Sequence, residues 1–438
     1  MLLIKQFISY FFNLPVFLSV DAPKMTKILA WVFAFVAVGI AVGPIHFFPQ
    51  PVYYFMCGLC VLYIFLQGGI TTNGSFFALY FALGVSALFC EYAVFKSIPR
   101  FGLFLMVTII ISPFIVSDAA LRFRILICRN ILIMTTVAVI GSFFCFFLGI
   151  NYMTSHLESA TDTGIFGGLF VHSMILGPAA FMSAIVFFNA YQVKHDNMSI
   201  VFFFLSAACV VMSASRGATI ALVVPVAYSL FMMRDDEGTK KRMIWILLVV
   251  AVASIPVSDR FTKGLRNKQK GKEERGSTFS SRQSKWDCRI AEFKSSPIWG
   301  VGFAAIDPDG GDEYQPKTGT IEPGTSHLAV LSMTGLLGFV PYLYVLIVAF
   351  MAVKGDKDPP SRFWRCMFIA FMVHGLVEGY ALAGGSFLCL CFWMTIGQCV
   401  DYKKMEELGM IGEQEEELYD ENGELIEYTE YEEENNAN

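Results

Sequence analysis

Long apolar runs, separated by short polar or Gly- and Pro-bearing stretches, recur along the chain as far as about residue 400. The runs show no apolar/polar alternation of period two, which excludes a membrane β-barrel. A helix that crosses a hydrocarbon core of about 30 Å needs roughly 20 apolar residues. On that scale the pattern predicts twelve spans: 28–45, 52–67, 76–91, 101–117, 125–149, 165–190, 198–213, 217–233, 242–258, 327–353, 363–381 and 384–400. The shorter runs must borrow flanking residues. Backbone in lipid has to satisfy its own hydrogen bonds, so the fold class is all-α, a polytopic bundle of about twelve transmembrane helices.

The polar stretches divide the chain further. Residues 1–27 form an N-terminal segment in which Lys5, Asn13 and Pro15 interrupt the apolar positions and no small-residue cleavage site follows; an interfacial helix is expected there rather than a cleaved signal peptide. Spans fill 28–257 and 327–400, and residues 258–326 make one long loop carrying short amphipathic helices. A tail follows at 401–438; from Met405 onward it holds 14 acidic and no basic residues, so it repels itself and is expected to be disordered. Lys and Arg in short loops favour the cytoplasmic side. Lys24 and Lys27, Arg122, Arg124 and Arg129, Arg234 to Arg242, Lys354 to Arg365, and Lys403 and Lys404 all fall on one side, which puts both termini inside and the long loop outside; Lys96 and Arg100 run against the rule.

Composition agrees: 55% of the residues are hydrophobic and 16% charged, too little polar surface for a soluble domain of 438 residues. The 11 Cys lie mostly in apolar runs, where a free thiol packs as a small hydrophobe, and the Cys57–Cys60 pair carries little redox signal there. No His, Cys or Asp cluster has metal-ligand spacing and no Gly-rich phosphate loop faces the cytosol, so neither metal nor cofactor is expected.

Chemistry-bearing residues gather toward the expected outer face. Arg216, in "SASRGATIALVV", sits between two spans in a connection too short to be a free loop. A guanidinium at that depth is costly unless it is paired or faces a wet cavity, although a snorkelling interfacial Arg is the plainer reading. Arg260 opens a stretch to Gly276 with seven basic and two acidic residues, a solvated face or an attractor of anionic head groups. The stretch from Ser280 reads as an amphipathic helix stopped by Pro297; Arg282, Lys285 and Arg289 form one stripe, with Trp286, Ile290 and Phe293 alongside, suited to lying on the membrane interface. His172 and Glu378 approach the outer ends of two spans, His374 lies one turn deeper, where a packing role is the commoner one, and His327 opens the tenth span. An intramembrane carboxylate is a functional candidate or a structural partner for an Arg. Several guanidinium forks suit a diphosphate, and a neutral imidazole can take a proton from an attacking hydroxyl.

These features, in their order, resemble the O-antigen ligase and O-antigen polymerase family of bacterial glycan-assembly membrane proteins. The resemblance rests on Ser215-Arg216-Gly217, Arg282 with Trp286, Pro297-Ile298-Trp299-Gly300-Val301-Gly302, Ser326-His327, and Thr334-Gly335-Leu336-Leu337-Gly338, and spans roughly Phe166 to Gly397. It implies a glycosyltransferase of the inner membrane with its active site at the periplasmic face. Such an enzyme moves a glycan from undecaprenyl diphosphate to a hydroxyl of an acceptor glycan or glycolipid, by inversion and without a metal ion. By the same resemblance Arg216 and Arg282 clamp the diphosphate and His327 orients or deprotonates the acceptor, with Arg289 and Glu378 matching the pattern more loosely; Arg260 and His172 join these two as substrate-binding candidates from their place toward the outer face. The expected partners are the lipid-linked glycan, the acceptor and membrane lipids, with no nucleic acid. Two other readings stand beside it: a transporter or flippase for a lipid-linked sugar, and a non-catalytic scaffold of a polysaccharide export complex docked through the acidic tail. Ligase and polymerase share donor chemistry and are not separated by the sequence.

Overall fold

The computed structural model describes residues 9–18, 20–46, 49–68, 71–153, 165–233, 237–254, 262, 266, 280–308, 321–354 and 359–411. Among these residues the regular structure is helical, with isolated bridges only, Val42 to Phe170 and Thr72 to Ile115. The helices are α1 (Lys24–Gly39), α2 (Gln50–Gly68), α3 (Gly74–Leu88), α4 (Ser97–Ile111), α5 (Asp118–Leu148), α6 (Ser173–Lys194), α7 (Asn197–Met212), α8 (Arg216–Met232), α9 (Glu237–Ser254), α10 (Ser280–Ser295), α11 (Ser326–Ala352), α12 (Pro359–Gly375) and α13 (Phe387–Glu407). Each predicted apolar segment falls on one of them, and α10 is the amphipathic helix of the long loop. Of these, α2, α5, α6 and α11 are both long and apolar enough to cross a membrane. Helices α3, α4, α7 and α8 are apolar but shorter, at 15–17 residues. Phe55, Leu66, Phe81, Val223 and Ile347 are each more than half exposed, so the bundle turns apolar side chains outward as well as inward.

Several boundaries differ from the apolar pattern for local reasons. The sixth segment begins at Ser173, not at 165, because Gly168 takes a left-handed φ of 58° and His172 caps the helix. The residues before it run beside the end of α1, where Gly43 N donates to Leu169 O at 2.7 Å and Val171 N to Ala41 O at 3.0 Å. The eleventh segment stops at Gly375, and residues 376–386 form a turn of mainly apolar and glycine residues around Glu378. Apolarity alone does not distinguish such a packed turn from a helix end. The acidic tail beyond 411, the N-terminal residues 1–8 and most of the basic stretch from Arg260 lie outside the described residues.

Long-range contacts sort the helix ends into two sets. At one end, the start of α5 meets the end of α13 through Lys404 Nζ and Asp118 Oδ1 at 2.7 Å, and Arg122 Nη1 reaches Asp21 O before α1 at 2.7 Å. At the same end Arg124 forms a two-point fork with Asp401, Nε to Oδ2 at 2.7 Å and Nη2 to Oδ1 at 2.9 Å, while its Nη1 donates to Ile115 O at 3.1 Å. Both side chains are nearly inaccessible, at 1% and 4%. The opposite end gathers the starts of α8, α11 and α13, the end of α12, and α10. A buried pair contributes little over an apolar pair, but losing one partner leaves a naked charge. Asp401→Ala should therefore destabilise the fold by about 3–5 kcal/mol, whereas joint replacement of Arg124 and Asp401 by Met should cost less. Thermal unfolding of the detergent-purified variants measures both.

Candidate active site

The site end is organised by a break in α11. Gly335 has φ 59° and ψ −165°, a combination open in practice only to glycine, and it divides α11 into Ser326–Thr334 and Leu336–Ala352. An unbroken helix would bond Leu336 N to Ser332 O and Leu337 N to Met333 O. Here those N–H groups donate to Pro297 O and Ile298 O, both at 2.9 Å. The stranded carbonyls are answered by the same loop: Val301 N donates to Ser332 O at 3.1 Å and Gly302 N to Met333 O at 3.0 Å. Met333 O also accepts from Ser86 Oγ at 2.8 Å, and Glu91 N donates to Val301 O at 3.0 Å, which ties the junction to the end of α3. The glycines permit this contact. A Cβ on Gly300 would strike the Met333–Thr334 backbone, and one on Gly335 would strike Ile298. The Pro-x-x-Gly-x-Gly loop and the Thr-Gly-x-x-Gly turn are thus two halves of one joint.

The break brings His327 back onto its own helix. In a straight helix His327 and Tyr342 would lie about 22 Å apart; here His327 Nδ1 is 2.9 Å from Tyr342 Oη, and His327 Nε2 is 3.1 Å from Met372 O of α12. With the proton on Nε2 donated to that carbonyl, Nδ1 accepts from the tyrosine, so the neutral ring is held at both nitrogens. Its neighbours fix the start of α11. Thr325 Oγ1 donates to Gly375 O at 3.2 Å, and Ser326 Oγ donates to Glu378 O at 2.7 Å while accepting from Tyr380 N at 3.0 Å. These bonds hold the 376–380 turn, and with it the Glu378 carboxylate, against the first turn of α11.

Glu378 meets the cationic stripe of α10. Arg282 Nη2 lies 2.5 Å from Glu378 Oε1, and Arg282 Nη1 lies 3.5 Å from Gly324 O and 3.9 Å from Glu322 Oε1. Lys285 Nζ pairs with Glu322 Oε2 at 2.9 Å. The stripe expected to lie on the membrane interface instead turns toward the protein and leaves Ile290 41% exposed, because two carboxylates on the facing segments outcompete solvent for the cations. Arg216 is exposed at the first position of α8, behind a turn in which Ala214 has φ 55° and Ser215 Oγ accepts from Ala218 N at 3.2 Å. Gly217 abuts Val377, the residue before Glu378, so the start of α8, which carries Arg216, packs on the turn that Arg282 pairs with.

Of the other candidates, His374 adjoins this group, its carbonyl accepting from Glu378 N at 3.1 Å, and the rest lie apart from it or outside the described residues. Arg289 is 1% exposed and bonds Glu292 at 2.8 Å, one turn along α10; Glu292 Oε1 also accepts from Asp307 N at 2.8 Å. It faces the interior beneath the loop. Nearby, burial and then the Asp307 carboxylate push the Tyr92 hydroxyl up to about 12, so it stays protonated. His172 caps α6, its Nδ1 accepting from Met174 N at 3.1 Å. His374 is buried between Phe181 and Tyr380, with Nδ1 3.2 Å from Tyr380 Oη. Cys57 and Cys60 are buried free thiols. Arg260 lies outside the described residues. Sequence reasoning passed over Glu322, Tyr342 and Glu292, and named Ser326 only as part of the Ser326-His327 motif. Glu292 had a signal, the i,i+3 spacing from Arg289, whereas Tyr342 becomes a neighbour of His327 only once the helix is known to double back.

Residues 201–377 match the family model described as O-antigen ligase, and no curated protein matches the chain. The matched region takes in the Arg216 turn, α10, the loop joint, His327 and the end of α12. The joint carries its own test. Gly335→Ala and Gly300→Ala each force a Cβ into backbone at a left-handed φ, a strain on the order of 1–3 kcal/mol before any clash. Both variants should lose protease resistance at the 297–302 loop, while Gly58→Ala, whose Cβ meets open space within α2, should behave as wild type in the same limited-proteolysis assay.

Proposed function

We propose that this membrane protein of the O-antigen ligase/polymerase family is a glycosyltransferase that moves a glycan from undecaprenyl diphosphate to an acceptor sugar hydroxyl during surface-polysaccharide synthesis. The site is taken to face the periplasm, since most of the loop cations lie at the opposite end. The observation that carries the reading is that Arg282 of α10 reaches Glu378 while Gly217, the neighbour of Arg216 on α8, packs on Val377 of the same turn. Two guanidinium groups approaching from different elements suit the two phosphates of a diphosphate, and they stay charged at any physiological pH.

In this reading Glu378 neutralises Arg282 while the site is empty. An incoming diphosphate displaces the carboxylate from the guanidinium and leaves it available as a base. The acceptor oxygen then attacks the anomeric carbon from the face opposite the diphosphate, and its proton passes to Glu378. The C–O bond to the diphosphate breaks, and its electron pair departs on a phosphate oxygen that the arginines stabilise. The product carries the inverted configuration. His327, with both ring nitrogens engaged inside the bundle, acts here as a positioning residue that fixes the first half of α11 and so the 376–380 turn. It becomes the base only if its ring leaves Tyr342.

Removing one transition-state charge contact costs on the order of 10²–10³ in rate. Arg216→Ala, Arg282→Ala and Glu378→Gln should each reduce glycan transfer by that order in a deletion strain while the protein still accumulates in the membrane. Full complementation by both arginine variants would remove the diphosphate clamp. His327→Gln should lower thermal stability together with activity; if it abolishes transfer with the melting temperature unchanged, the base is His327 and not Glu378. The deletion phenotype separates the two activities: single-repeat glycans indicate a polymerase, and full-length glycans stranded on the carrier indicate a ligase.

A further inference from the structure

A cavity of about 390 Å³ opens on the other side of the chain segments that carry the cationic group. Its size falls within the roughly 300–1,000 Å³ typical of small-molecule sites. The partition is the last part of the long loop, just before α11. Ile321 and Pro323 line the cavity, while the Glu322 side chain between them pairs with Lys285, and Gly324, at φ 75°, offers its carbonyl to Arg282. The 376–380 turn divides in the same way, with Glu378 toward Arg282 and Gly379 on the cavity wall. On the first half of α11, Ala329 and Met333 look into the cavity, and His327 points away to Tyr342.

The far wall carries charge. Arg100, in the first turn of α4, lines the cavity; its Nη1 donates to Ala304 O at 3.0 Å and its guanidinium lies 5.6 Å from the centre of the Phe95 ring, so its direction is set. Tyr54, Gln50 and Ser386 add neutral polar groups, and Leu103 and Leu382 supply apolar surface. This Arg stands at the same end of the bundle as Arg216 and Arg282, and it broke the loop-charge pattern in the sequence. A guanidinium on the wall of a mainly apolar pocket is best matched by a planar or tetrahedral oxyanion, while tyrosines offer both flat apolar faces and hydroxyls.

We propose that this cavity is a sugar subsite separate from the diphosphate cluster, and that it takes a hexose unit carrying a carboxylate or phosphate, with Arg100 pairing to the anionic group. The proposal rests on the glycan-transfer reading for the identity of the ligand as a sugar; the binding itself is independent of catalysis. It supplies the site with a specificity element, since a neutral sugar brings no negative charge to the Arg100 guanidinium.

Equilibrium dialysis of the full-length protein in detergent micelles, against labelled methyl glucuronide, glucose 6-phosphate and methyl glucoside, tests it. The two anionic hexoses should bind at least about tenfold more tightly than the neutral one, as expected for a charge-assisted fork. Arg100→Gln should remove the preference, Arg100→Lys should retain part of it, and Leu103→Trp, which narrows the cavity, should weaken all three. Saturating inorganic diphosphate should leave the bound hexose in place. Equal binding of all three probes, an unchanged preference in Arg100→Gln, or displacement by diphosphate would each overturn the subsite; displacement would assign the anion to the Arg282 cluster. Competition by phosphatidylglycerol micelles at equal phosphate would likewise overturn it in favour of a lipid head-group site. These outcomes leave the transferase reading standing, because that falls only if Arg216→Ala and Arg282→Ala complement the deletion strain.

Discussion

The site depends on an exchange of backbone hydrogen bonds. When α11 breaks at Gly335, two N–H groups and two carbonyls lose their helical partners, and each unsatisfied group within an apolar bundle costs several kcal/mol. The 297–302 loop supplies two carbonyls to those N–H groups and two N–H groups to those carbonyls. Neither partner is satisfied alone. A loop of the same length lacking glycine at 300 could not approach α11 closely enough, one lacking glycine at 302 would strike Cys90 beyond α3, and a helix lacking glycine at 335 could not turn. The loop therefore docks with fixed register, and α10, which precedes it, is held with its basic stripe against the protein.

That joint sets the geometry of the whole outer end. The first half of α11 is tilted back toward the bundle, so His327, Ser326 and Thr325 meet the end of α12 instead of standing at the outermost end of a straight span. The 376–380 turn is caught between them and Arg282. One short turn thus joins the basic helix of the loop, the first half of α11 and the Arg216 turn of α8, and its two faces open on two different environments. On one face are Arg282 and Glu378; on the other is a mainly apolar cavity with Arg100 on its far wall. The opposite end of the molecule has a different character, where the Arg124–Asp401 fork and the Lys404–Asp118 pair tie helix ends together.

The all-α architecture, the position of each apolar segment and the candidate residues of the loop were legible in the amino-acid sequence, because runs of apolar residues and the spacing of charges are local properties. So were the glycines and the order of the motifs that carry the family resemblance. The cationic stripe of α10 was legible as a stripe but not in its direction: periodicity states that Arg282, Lys285 and Arg289 share a face, and only the carboxylates of Glu322 and Glu378, distant in the chain, decide that the face turns inward. Arg289 shows the same limit at finer scale, since a residue one turn along takes it out of the site.

Tertiary structure alone decided the rest. That Gly335 ends one helix segment and begins another, so that His327 reaches Tyr342, depends on a loop more than thirty residues upstream lending its backbone groups. That Arg100 belongs to a cavity and not merely to an exception in the charge pattern depends on four separate chain segments closing around it. Hydrophobic periodicity is written residue by residue and survives in any single sequence. Hydrogen-bond exchange and charge pairing between remote segments are properties of pairs, and they exist only once the chain has brought those pairs together.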